Sequence, residues 1–457
     1  MTEVAIAGAG RAAARPRLER AVGLALVWTF VLGNAAGIVW LWAHGGNLHA
    51  TTTGEALTSV ARITGLLGAY MALIQVVLLA RLPVLERLVG FDRLTVWHRW
   101  NGHATIDLVV LHVFFSVWGY ALMDKFSIGK EISTMLGGGI YPGMITATVG
   151  TGLLLAVVAT SYIIVRRRLR YEWWYTVHIL AYAGIALGWF HQIPTGNELV
   201  LDSVAADYWR ALYVATLAIV VGFRLVAPAV RAFRHRLRVA EVVDEGPGVV
   251  SLRITGRHLD RWHARAGQFF VWRFLTPGRW WTGHPFSLSA APDGRSLRIT
   301  VKALGDHSAA LASVPVGTRV LAEGPFGVFT EASRRRHKVA LVAGGIGITP
   351  VRALMEEAHG DVVVLYRALT DDDLVLRGEI EELARKRGMD VHLLVGDHAT
   401  PEGARLLAPD HLREIVPDLA EREFYVCGPP GMADAAARSL RAAGVSRRHI
   451  HLERFAL

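Results

Sequence analysis

The amino-acid sequence predicts a multi-domain membrane protein, in which a six-helix transmembrane bundle precedes an antiparallel β-barrel and an α/β domain. Long apolar runs crowd the first half of the 457 residues, and 52% of the whole chain is hydrophobic. Short alternating strands separated by turn residues follow, which is typical of a small barrel. Buried strands that alternate with helices then occupy the end of the chain, and this order indicates a parallel sheet.

A membrane-spanning helix needs about 20 mostly apolar residues, and six segments qualify. They are 21–43, 57–80, 98–122, 144–165, 173–190 and 209–228. The first is too long for the apolar core of a signal peptide and lacks a clear cleavage site, so we expect it to be retained. The predicted parts are a cytoplasmic arm (1–20), the bundle (21–230), the barrel (235–334) and the α/β domain (335–457).

Basic residues are concentrated in alternate loops. The arginine-rich segments are the N-terminal arm, 81–93, 166–170 and 231–238. The loops 44–56 and 191–208 contain no lysine or arginine, and 123–143 contains only Lys125 and Lys130. Cytoplasmic loops carry the excess of basic residues, so we expect a multi-pass protein of the cell membrane with both termini in the cytoplasm.

The net charge of +10 is explained by this topology better than by nucleic-acid binding, because no basic helix or aromatic platform is evident. The chain has one cysteine, Cys427, which excludes an intrachain disulfide.

Four histidines lie in, or at the outer edge of, two predicted spans that run in the same direction. His98 and His112 are 14 residues apart, and His178 and His191 are 13 apart; 14 residues rise about 21 Å along a helix. Ionisable side chains inside a membrane are costly and usually functional. His98 can face His178 near the cytoplasmic side, and His112 can face His191 near the outer side, as two bis-histidine haems require. The alternative is that these histidines only form hydrogen bonds within the bundle or at its interface.

The two spacings differ in one respect. A 14-residue step nearly returns to the same helix face, whereas a 13-residue step lands about 140° away. Gly184 and Gly188 lie between His178 and His191, where a bend would help to aim both rings. His103 fits neither pair, and we interpret it as a structural or interface residue.

The barrel strands are predicted from four alternating runs. They are Leu237–Val243, Val249–Thr255, Gln268–Phe274 and Leu297–Ala303. Small residues, hydroxyl groups and the start of a short helix suit a pyrophosphate, although a simple turn explains them equally well. The segments with these features are His284-Pro285-Phe286-Ser287-Leu288-Ser289, and Lys302 with Gly305-Asp306-His307-Ser308.

Two glycine-containing motifs follow predicted strands in the α/β domain. Val339–Val342 leads into Gly344-Gly345-Ile346-Gly347-Ile348-Thr349-Pro350 and a helix, and Phe424–Val426 leads into Cys427-Gly428-Pro429-Pro430-Gly431-Met432. Further strands are predicted at Val362–Tyr366, which ends in Arg367, and at Val391–Leu394. Glycines allow close backbone approach, and ligands bind at the carboxyl ends of parallel strands. The motifs therefore predict a nucleotide site, with a structural strand-to-helix turn as the alternative.

In this order the motifs resemble the ferric reductase and NADPH oxidase family, over nearly the whole chain from about residue 20. That family joins a six-helix haem domain to a dehydrogenase of the ferredoxin–NADP reductase type. The histidine spacings resemble its haem ligands, and His284–Ser287 resembles its flavin motif. Glu323–Gly327 also fits, and Gly344–Pro350 and Cys427–Met432 resemble its nicotinamide nucleotide motifs.

The resemblance implies the cofactors FAD, two haems b and NADPH or NADH. It implies that His284, Pro285, Phe286 and Ser287 lie along the isoalloxazine and ribityl side, with Ser287 near the flavin N5. It also implies that the segment from Lys302 through Gly305 to Ser308 holds the pyrophosphate.

On the nicotinamide side, the resemblance implies positioning roles for Cys427 and Glu453. Phe455 would stack on the flavin until nicotinamide displaces it, although Ala456 and Leu457 follow here where many relatives end. Arg367 follows the second strand, where an arginine can meet the 2′-phosphate of NADPH. A solvated arginine is the alternative, and the nearby Asp371–Asp373 disfavour a phosphate. We nevertheless expect NADPH rather than NADH.

We therefore expect electron transfer from cytoplasmic NAD(P)H to an acceptor outside, either oxygen, which gives superoxide, or ferric iron. Family oxidases often carry a further histidine one turn beyond the outer ligand, but Ser116 stands there, which weakens the case for oxygen. Arg62 lies where it would attract an anion or pair with a haem propionate.

The alternatives are a metal reductase that makes no superoxide, and a transporter or redox sensor with a flavin domain. No calcium-binding loop or docking segment is evident, so we expect no obligate protein partner.

Overall fold

The computed structural model describes residues 3–137, 139–162, 165, 168–169, 171–277 and 280–455. Of the features predicted above, Arg166, Arg167, Arg170, Ala456 and Leu457 lie outside the described residues, as do the side chains of residues 1–20 and Arg87. The chain forms two compact units, Met1–Val226 and Ala227–Leu457.

The described part of the first unit consists of helices joined by loops. Its helices are α1 (Glu3–Trp42), α2 (Thr53–Leu78), α3 (Pro83–Val89), α4 (Phe91–Met123), α5 (Ile128–Gly137), α6 (Met144–Ser161), α7 (Tyr171–Thr195), α8 (Asn197–Leu201) and α9 (Ser203–Val220). Wider π-helical turns continue α1 over Ala43–Asn47 and α9 over Val221–Val226.

Five helical segments in the described part of the chain are long and apolar enough to cross a membrane. They are Ala21–Asn47, Thr53–Leu78, Arg93–Met123, Met144–Ser161 and Ser203–His235. The fifth predicted span, 173–190, lies within the continuous helix α7 of 25 residues, which is not among those five. A membrane-type helical region is therefore confirmed, whereas the count of six spans stays a prediction.

The helices of the first unit pack as two close pairs, α2 with α4 and α6 with α7. Small residues permit each close approach. A Cβ atom added to Gly119 of α4 would lie 2.7 Å from Cγ2 of Thr58 in α2, and one added to Gly150 of α6 would lie 2.7 Å from the Gly184 carbonyl oxygen of α7. Gly184 therefore serves packing between α6 and α7.

The second unit begins with the short helix α10 (Ala227–His235) and two three-stranded antiparallel sheets. The strands are β1 (Arg238–Gly246), β2 (Val249–Thr255), β3 (Phe269–Phe274), β4 (His284–Ser287), β5 (Ser296–Lys302) and β6 (Val320–Phe326), with helix α11 (Asp306–Ala309) between β5 and β6. The four predicted strands and the short helix are confirmed, whereas β4 and β6 had not been predicted as strands.

The predicted antiparallel β-barrel is not seen as a closed barrel in the described residues. The sheets have the orders β1-β2-β5 and β4-β3-β6. In the described residues, single bridges between Arg238 and Arg319 and between Leu288 and Ile299 extend the pairing beyond these strands. A closed barrel requires continuous pairing around its circumference, and isolated bridges do not provide it. The inward side chains of the two sheets instead share one apolar core, which includes Leu252, Phe270 and Trp272.

The rest of the second unit is a five-stranded parallel sheet flanked by helices, as predicted. Its strands are β7 (Lys338–Gly344), β8 (Val362–Ala368), β9 (Asp390–Val395), β10 (Arg422–Gly428) and β11 (Ile450–Arg454), and its helices are α12 (Ile348–Glu357), α13 (Arg377–Arg387), α14 (Pro401–Arg405), α15 (Pro409–Ile415) and α16 (Pro430–Ala442). The strand order is β11-β10-β7-β8-β9. The order reverses between β7 and β10, and ligands of such sheets bind outside the carboxyl ends of the strands at this point.

Candidate functional site

Two pairs of imidazoles meet between α4 and α7. The ring centroids of His98 and His178 are 6.1 Å apart, and those of His112 and His191 are 6.2 Å apart. The structure thus brings together the pairs that the spacing predicted, although the two helices use steps of 14 and 13 residues. The fifth histidine, His103, lies instead edge-on to Tyr162, at 6.3 Å between ring centroids.

The geometry of these pairs fits an iron ion held by two axial imidazoles. A bond from a first-row metal to an imidazole nitrogen is about 2 Å long, so one ion fits between the rings of each pair. Within the described residues, α4 and α7 make little direct backbone contact, and no group of three or more His, Cys, Asp or Glu side chains is placed to hold a metal ion. A haem needs only two protein ligands because its macrocycle supplies the others.

Hydrogen bonds orient three of the four rings through Nδ1. His98 Nδ1 lies 3.1 Å from the Gln75 carbonyl oxygen, and His112 Nδ1 lies 2.7 Å from the Ala61 carbonyl oxygen. Because a carbonyl oxygen can only accept, Nδ1 carries the proton in both rings, which leaves the Nε2 lone pair for a metal. His178 Nδ1 lies 3.3 Å from the Ser161 hydroxyl oxygen.

Polar side chains next to Ala61 and His191 in the sequence form further hydrogen bonds. Arg62, next to Ala61 in α2, donates to Asn47 Oδ1 at 2.8 Å. Gln192, next to His191, accepts hydrogen bonds from Trp209 Nε1 at 2.8 Å and from the Tyr213 hydroxyl at 3.1 Å. These bonds fix the end of α7 against α9, and they hold Arg62 at the level of the outer pair.

The predicted flavin motif forms the edge strand β4. His284–Ser287 pairs antiparallel with β3, and Trp272 Nε1 of β3 donates to the Phe286 carbonyl oxygen at 3.0 Å. Ser287 is buried, and the His284 ring contacts that of His307 with centroids 4.6 Å apart. The structure thereby places His284 beside α11, next to the segment expected to hold the pyrophosphate.

Residues predicted to hold the pyrophosphate already have protein partners. The Lys302 ammonium lies 2.8 Å from the Asp373 carboxylate. The Ser308 hydroxyl oxygen accepts from the backbone N–H groups of Leu304 and Gly305, at 2.9 and 3.0 Å. The Ser308 contacts hold Gly305 and Ser308 at the start of α11, whereas Lys302 is paired with Asp373.

The two glycine-containing motifs lie side by side at the reversal of strand order. β7 pairs parallel with β10, and a Cβ atom added to Gly347 would clash with the Cys427 carbonyl. Gly345 has φ +51°, a conformation that favours glycine. Thr349 and Pro350 are buried in the first turn of α12, and the Thr349 hydroxyl donates to the Ile346 carbonyl oxygen at 3.1 Å. The residues predicted for the dinucleotide thus meet in one place.

The residues predicted for the nicotinamide side gather at the end of β10. Cys427 is fully buried and is the register partner of Glu453 in β11. The Phe455 N–H donates to the Gly428 carbonyl oxygen at 3.2 Å, next to Pro429. Burial, together with the Glu453 carboxylate, raises the pKa of the Cys427 thiol well above its usual value, so this thiol is neutral at physiological pH.

Arg367 does not present its guanidinium group to solvent. The residue is 6% exposed, and the guanidinium donates to the backbone carbonyls of Ala368, Leu394 and Gly403. Sequence reasoning placed this arginine at a 2′-phosphate, whereas the structure uses it to join β8, β9 and α14.

Sequence reasoning missed the residues that orient the site. Gln75 and Ala61 hold the two α4 histidines, and Asp373 holds Lys302. One signal was available: Ala61 and Gln75 are separated by the same 14 residues as His98 and His112. No pattern in the sequence indicated Asp373 as a partner of Lys302.

Three family models match consecutive parts of the chain. They describe a ferric reductase like transmembrane component at residues 64–189, an FAD-binding domain at 235–330 and an oxidoreductase NAD-binding domain at 341–438. This combination agrees with the predicted ferric reductase and NADPH oxidase family. These domains support an NAD(P)H oxidoreductase with a membrane-type helical region.

Curated relatives match about half of the chain or less. The ferredoxin reductase component of 3-ketosteroid-9-alpha-monooxygenase from Mycolicibacterium smegmatis is 33% identical over 236 residues, which are 48% of this chain and 65% of that protein. A flavohemoprotein from Vibrio cholerae is 29% identical over 182 residues, 37% of this chain and 45% of that protein. The chain thus spans less than two thirds of the length of either relative.

The FAD/NAD-binding domain of nitric oxide dioxygenase from Vibrio cholerae is a similar solved structure. It has 24% sequence identity and a TM-score of 0.40, and the match covers 49% of this chain and 99% of that one.

Proposed function

We propose that this protein transfers electrons across a membrane, from cytoplasmic NAD(P)H to a one-electron acceptor on the other side, with FAD and two haems b as cofactors. One observation carries the proposal: two stacked imidazole pairs, His98–His178 and His112–His191, have the separation that axial iron ligands need. Each pair joins α4 to α7, so the two levels follow one another along the helices.

The second unit supplies the donor end of the path. Gly347 lets the glycine-rich turn after β7 approach the end of β10, where Cys427 and Gly428 stand. Helix α12 starts at this turn, and the positive end of its dipole favours a phosphate. The backbone bond between Phe455 and Gly428 holds the aromatic ring beside the same place.

The cofactors supply the redox chemistry, and the protein binds and orients them. The pairs His98–His178 and His112–His191 would hold the two haems, and the bound flavin and haems would convert the two electrons of a hydride into single electrons. The overall reaction balances as NAD(P)H + 2 A → NAD(P)⁺ + H⁺ + 2 A⁻, where A is the acceptor. One C–H bond of the nicotinamide breaks, and its proton is released on the donor side.

Ferric iron is the acceptor that we favour over oxygen. The family resemblance places a further histidine of oxidases at the position of Ser116, and a hydroxyl cannot act as an imidazolium would toward a reduced oxygen species. Ferric chelates need only accept an electron at the outer end of the path. Both termini and the donor domain are expected in the cytoplasm because the arginine-rich loops alternate with loops that lack basic residues.

Purification in detergent tests the proposal. We expect two haems b and one FAD per chain, measured as the pyridine haemochrome and as released flavin. His112→Leu should remove one haem, whereas His103→Leu, a change in the same helix outside both pairs, should keep both. A well-folded preparation that binds FAD but shows no Soret band would overturn the proposal and favour a transporter or sensor.

Acceptor assays in membranes separate the two reductase alternatives. We expect NAD(P)H-dependent reduction of a ferric chelate without oxygen, at a rate lost in His112→Leu. Superoxide formation in air that exceeds ferric reduction would show that oxygen is the acceptor instead.

A further inference from the structure

The carbonyl groups that orient the two α4 histidines form a matching pair on α2. Ala61 and Gln75 are 14 residues apart, and the histidines that they contact, His112 and His98, are also 14 apart in the reverse order. Helices α2 and α4 are therefore antiparallel. At each end of the 14-residue interval, one carbonyl oxygen of α2 contacts one histidine ring of α4. This arrangement repeats at both levels of the site.

The two carbonyls are available for different physical reasons. Gln75 lies in the last turn of α2, where the Leu79 N–H bonds to the Val77 carbonyl oxygen, so the Gln75 carbonyl is among those that a helix end leaves without their regular donor. Ala61 lies well inside α2, where side chains of the next turn normally cover a carbonyl. The residue one turn later is Gly65, and it has no Cβ atom.

Gly65 gives the His112 ring access to the Ala61 carbonyl. A Cβ atom added to Gly65 would lie 2.6 Å from His112 Nδ1 and 2.8 Å from its Cε1. Carbon and nitrogen atoms cannot approach so closely without contact strain, so any side chain here forces the imidazole away. The displaced ring would lose its bond to Ala61 and its aim toward His191.

We infer that Gly65 is a positioning residue for the outer metal ligand: it exposes the Ala61 carbonyl, which fixes the tautomer and orientation of His112. The inference rests on the proposed haem binding. Partners of this kind fix which nitrogen of a ligating histidine is free, and their loss typically weakens metal binding about 10–100-fold. Gly65 itself touches no cofactor in this account, since it acts through His112.

The inner pair is expected to tolerate the equivalent change. A Cβ atom added to Gly102 would lie 2.8 Å from Nε2 of Gln75. That atom is the end of a flexible side chain, whereas the His98 ring is hydrogen-bonded to the backbone carbonyl oxygen of Gln75. The amide can move without releasing His98, so Gly102→Ala should keep the inner haem.

Gly65→Ala in the full-length protein tests the inference, with Gly37→Ala as the matched control because a Cβ atom at Gly37 meets no atom within 4 Å. We expect the outer haem of Gly65→Ala to dissociate at least tenfold faster, or to show an altered midpoint potential and low-spin EPR signal. The inner haem and the FAD content should be unchanged, as should direct flavin-to-ferricyanide activity. Gly37→Ala should match the wild type in every readout.

The outcomes separate this inference from the proposed function. A wild type without haem would overturn the proposed function itself. A wild type with two haems, together with Gly65→Ala whose two haem signals and potentials are unaltered, would overturn only the role of Gly65. Alanine is the better helix former by about 1 kcal/mol, so a loss of the outer haem alone cannot be assigned to a weaker helix. Equal losses of both haems and FAD would indicate general misfolding and would also contradict the inference.

Discussion

The Lys302 ammonium lies 2.8 Å from the Asp373 carboxylate, and this ion pair joins the end of strand β5 to the turn after strand β8. Hydrogen bonding from Lys302 lowers the pKa of Asp373, despite partial burial. The family resemblance assigns Lys302 to the flavin pyrophosphate. The two roles compete for one ammonium group, and both side chains are 31% exposed.

Asp373→Asn should therefore tighten FAD binding. The variant removes the carboxylate that competes with the flavin pyrophosphate for the Lys302 ammonium. An exposed ion pair is worth up to about 1 kcal/mol, or about fivefold in affinity. Lys302→Met should weaken FAD binding. The measurement is titration of the flavin-free protein by fluorescence, with Asp372→Asn as a control that changes charge at the neighbouring residue. Weaker FAD binding in Asp373→Asn would show that the pair preorganises the site instead.

NADH should be preferred to NADPH by about tenfold in kcat/KM, which corresponds to 1.4 kcal/mol. The Arg367 guanidinium, on which the sequence argument for NADPH rests, is buried against three carbonyls. Asp371 and Asp372, which follow the same strand, are exposed and would repel a 2′-phosphate. Steady-state rates with both nucleotides decide the question. A double variant, Asp371→Asn with Asp372→Asn, should reduce the ratio of kcat/KM for NADH to kcat/KM for NADPH. A preference of the wild type for NADPH would contradict the prediction.

Glu423→Gln should destabilise the second unit at neutral pH by about 2 kcal/mol, the value of hydrogen bonds to a charged group. Glu423 is fully buried, and its carboxylate bonds to His449 Nδ1 at 2.9 Å and His451 Nε2 at 2.6 Å. Burial opposes ionisation, but the two histidines lower the pKa of Glu423 overall. Its stabilisation is therefore present above the unfolded value of 4.5 and is lost as the pH falls through the lowered folded value.

Hydrogen exchange of the β10 and β11 amides at several pH values measures this effect. The protection lost in Glu423→Gln should be large at pH 7 and should shrink below pH 4.5. Glu421→Gln, at an exposed carboxylate two residues away, should change little. Equal losses of amide protection at pH 7 and below pH 4.5 would show that the ionised form of Glu423 is not the source of the stabilisation.

Glu131→Gln should stabilise the protein at high pH. The side chain is fully buried in α5, and in the described structure neither carboxylate oxygen has a hydrogen-bond partner. Burial, with Asp124 nearby, raises the pKa of Glu131 above its usual 4.5. As the pH rises, Glu131 ionises first in the unfolded chain. The free energy of unfolding therefore falls between pH 4.5 and the raised pKa of the folded state, and it stays lowered at higher pH.

Thermal unfolding between pH 4.5 and 8 measures this cost. We expect Glu131→Gln to match the wild type at pH 4.5 and to exceed it at pH 8 by about 1–3 kcal/mol. Asp207→Asn replaces an exposed carboxylate with its side chain 74% accessible and should leave the pH dependence unchanged. A Glu131→Gln variant less stable than the wild type at pH 8 would show that the carboxylate has a favourable partner.

Local patterns determined most of the elements of this protein. Apolar length predicted the helical membrane region, period-2 alternation predicted β1, β2, β3 and β5, and buried runs predicted β7–β10. The strands β4, β6 and β11 were missed because each is short or contains proline or glycine, which weakens a strand signal. Whether the predicted barrel closes could not be read from the sequence, because strand pairing joins distant segments and alternation within a strand does not fix its partner.

The sequence by itself determined which side chains could bind: the four histidines at nearly equal spacing and the two glycine-containing turns, since helical rise and glycine conformations are local properties. Only the tertiary structure decided how these residues are held. Gly65 leaves the Ala61 carbonyl accessible to His112, which is 47 residues from Gly65 in the sequence. Asp373 forms an ion pair with Lys302, and the Arg367 guanidinium donates its hydrogen bonds to backbone carbonyls of its own sheet and the following helix. Such contacts depend on which helix or strand packs alongside, and no periodicity within a segment encodes its neighbour.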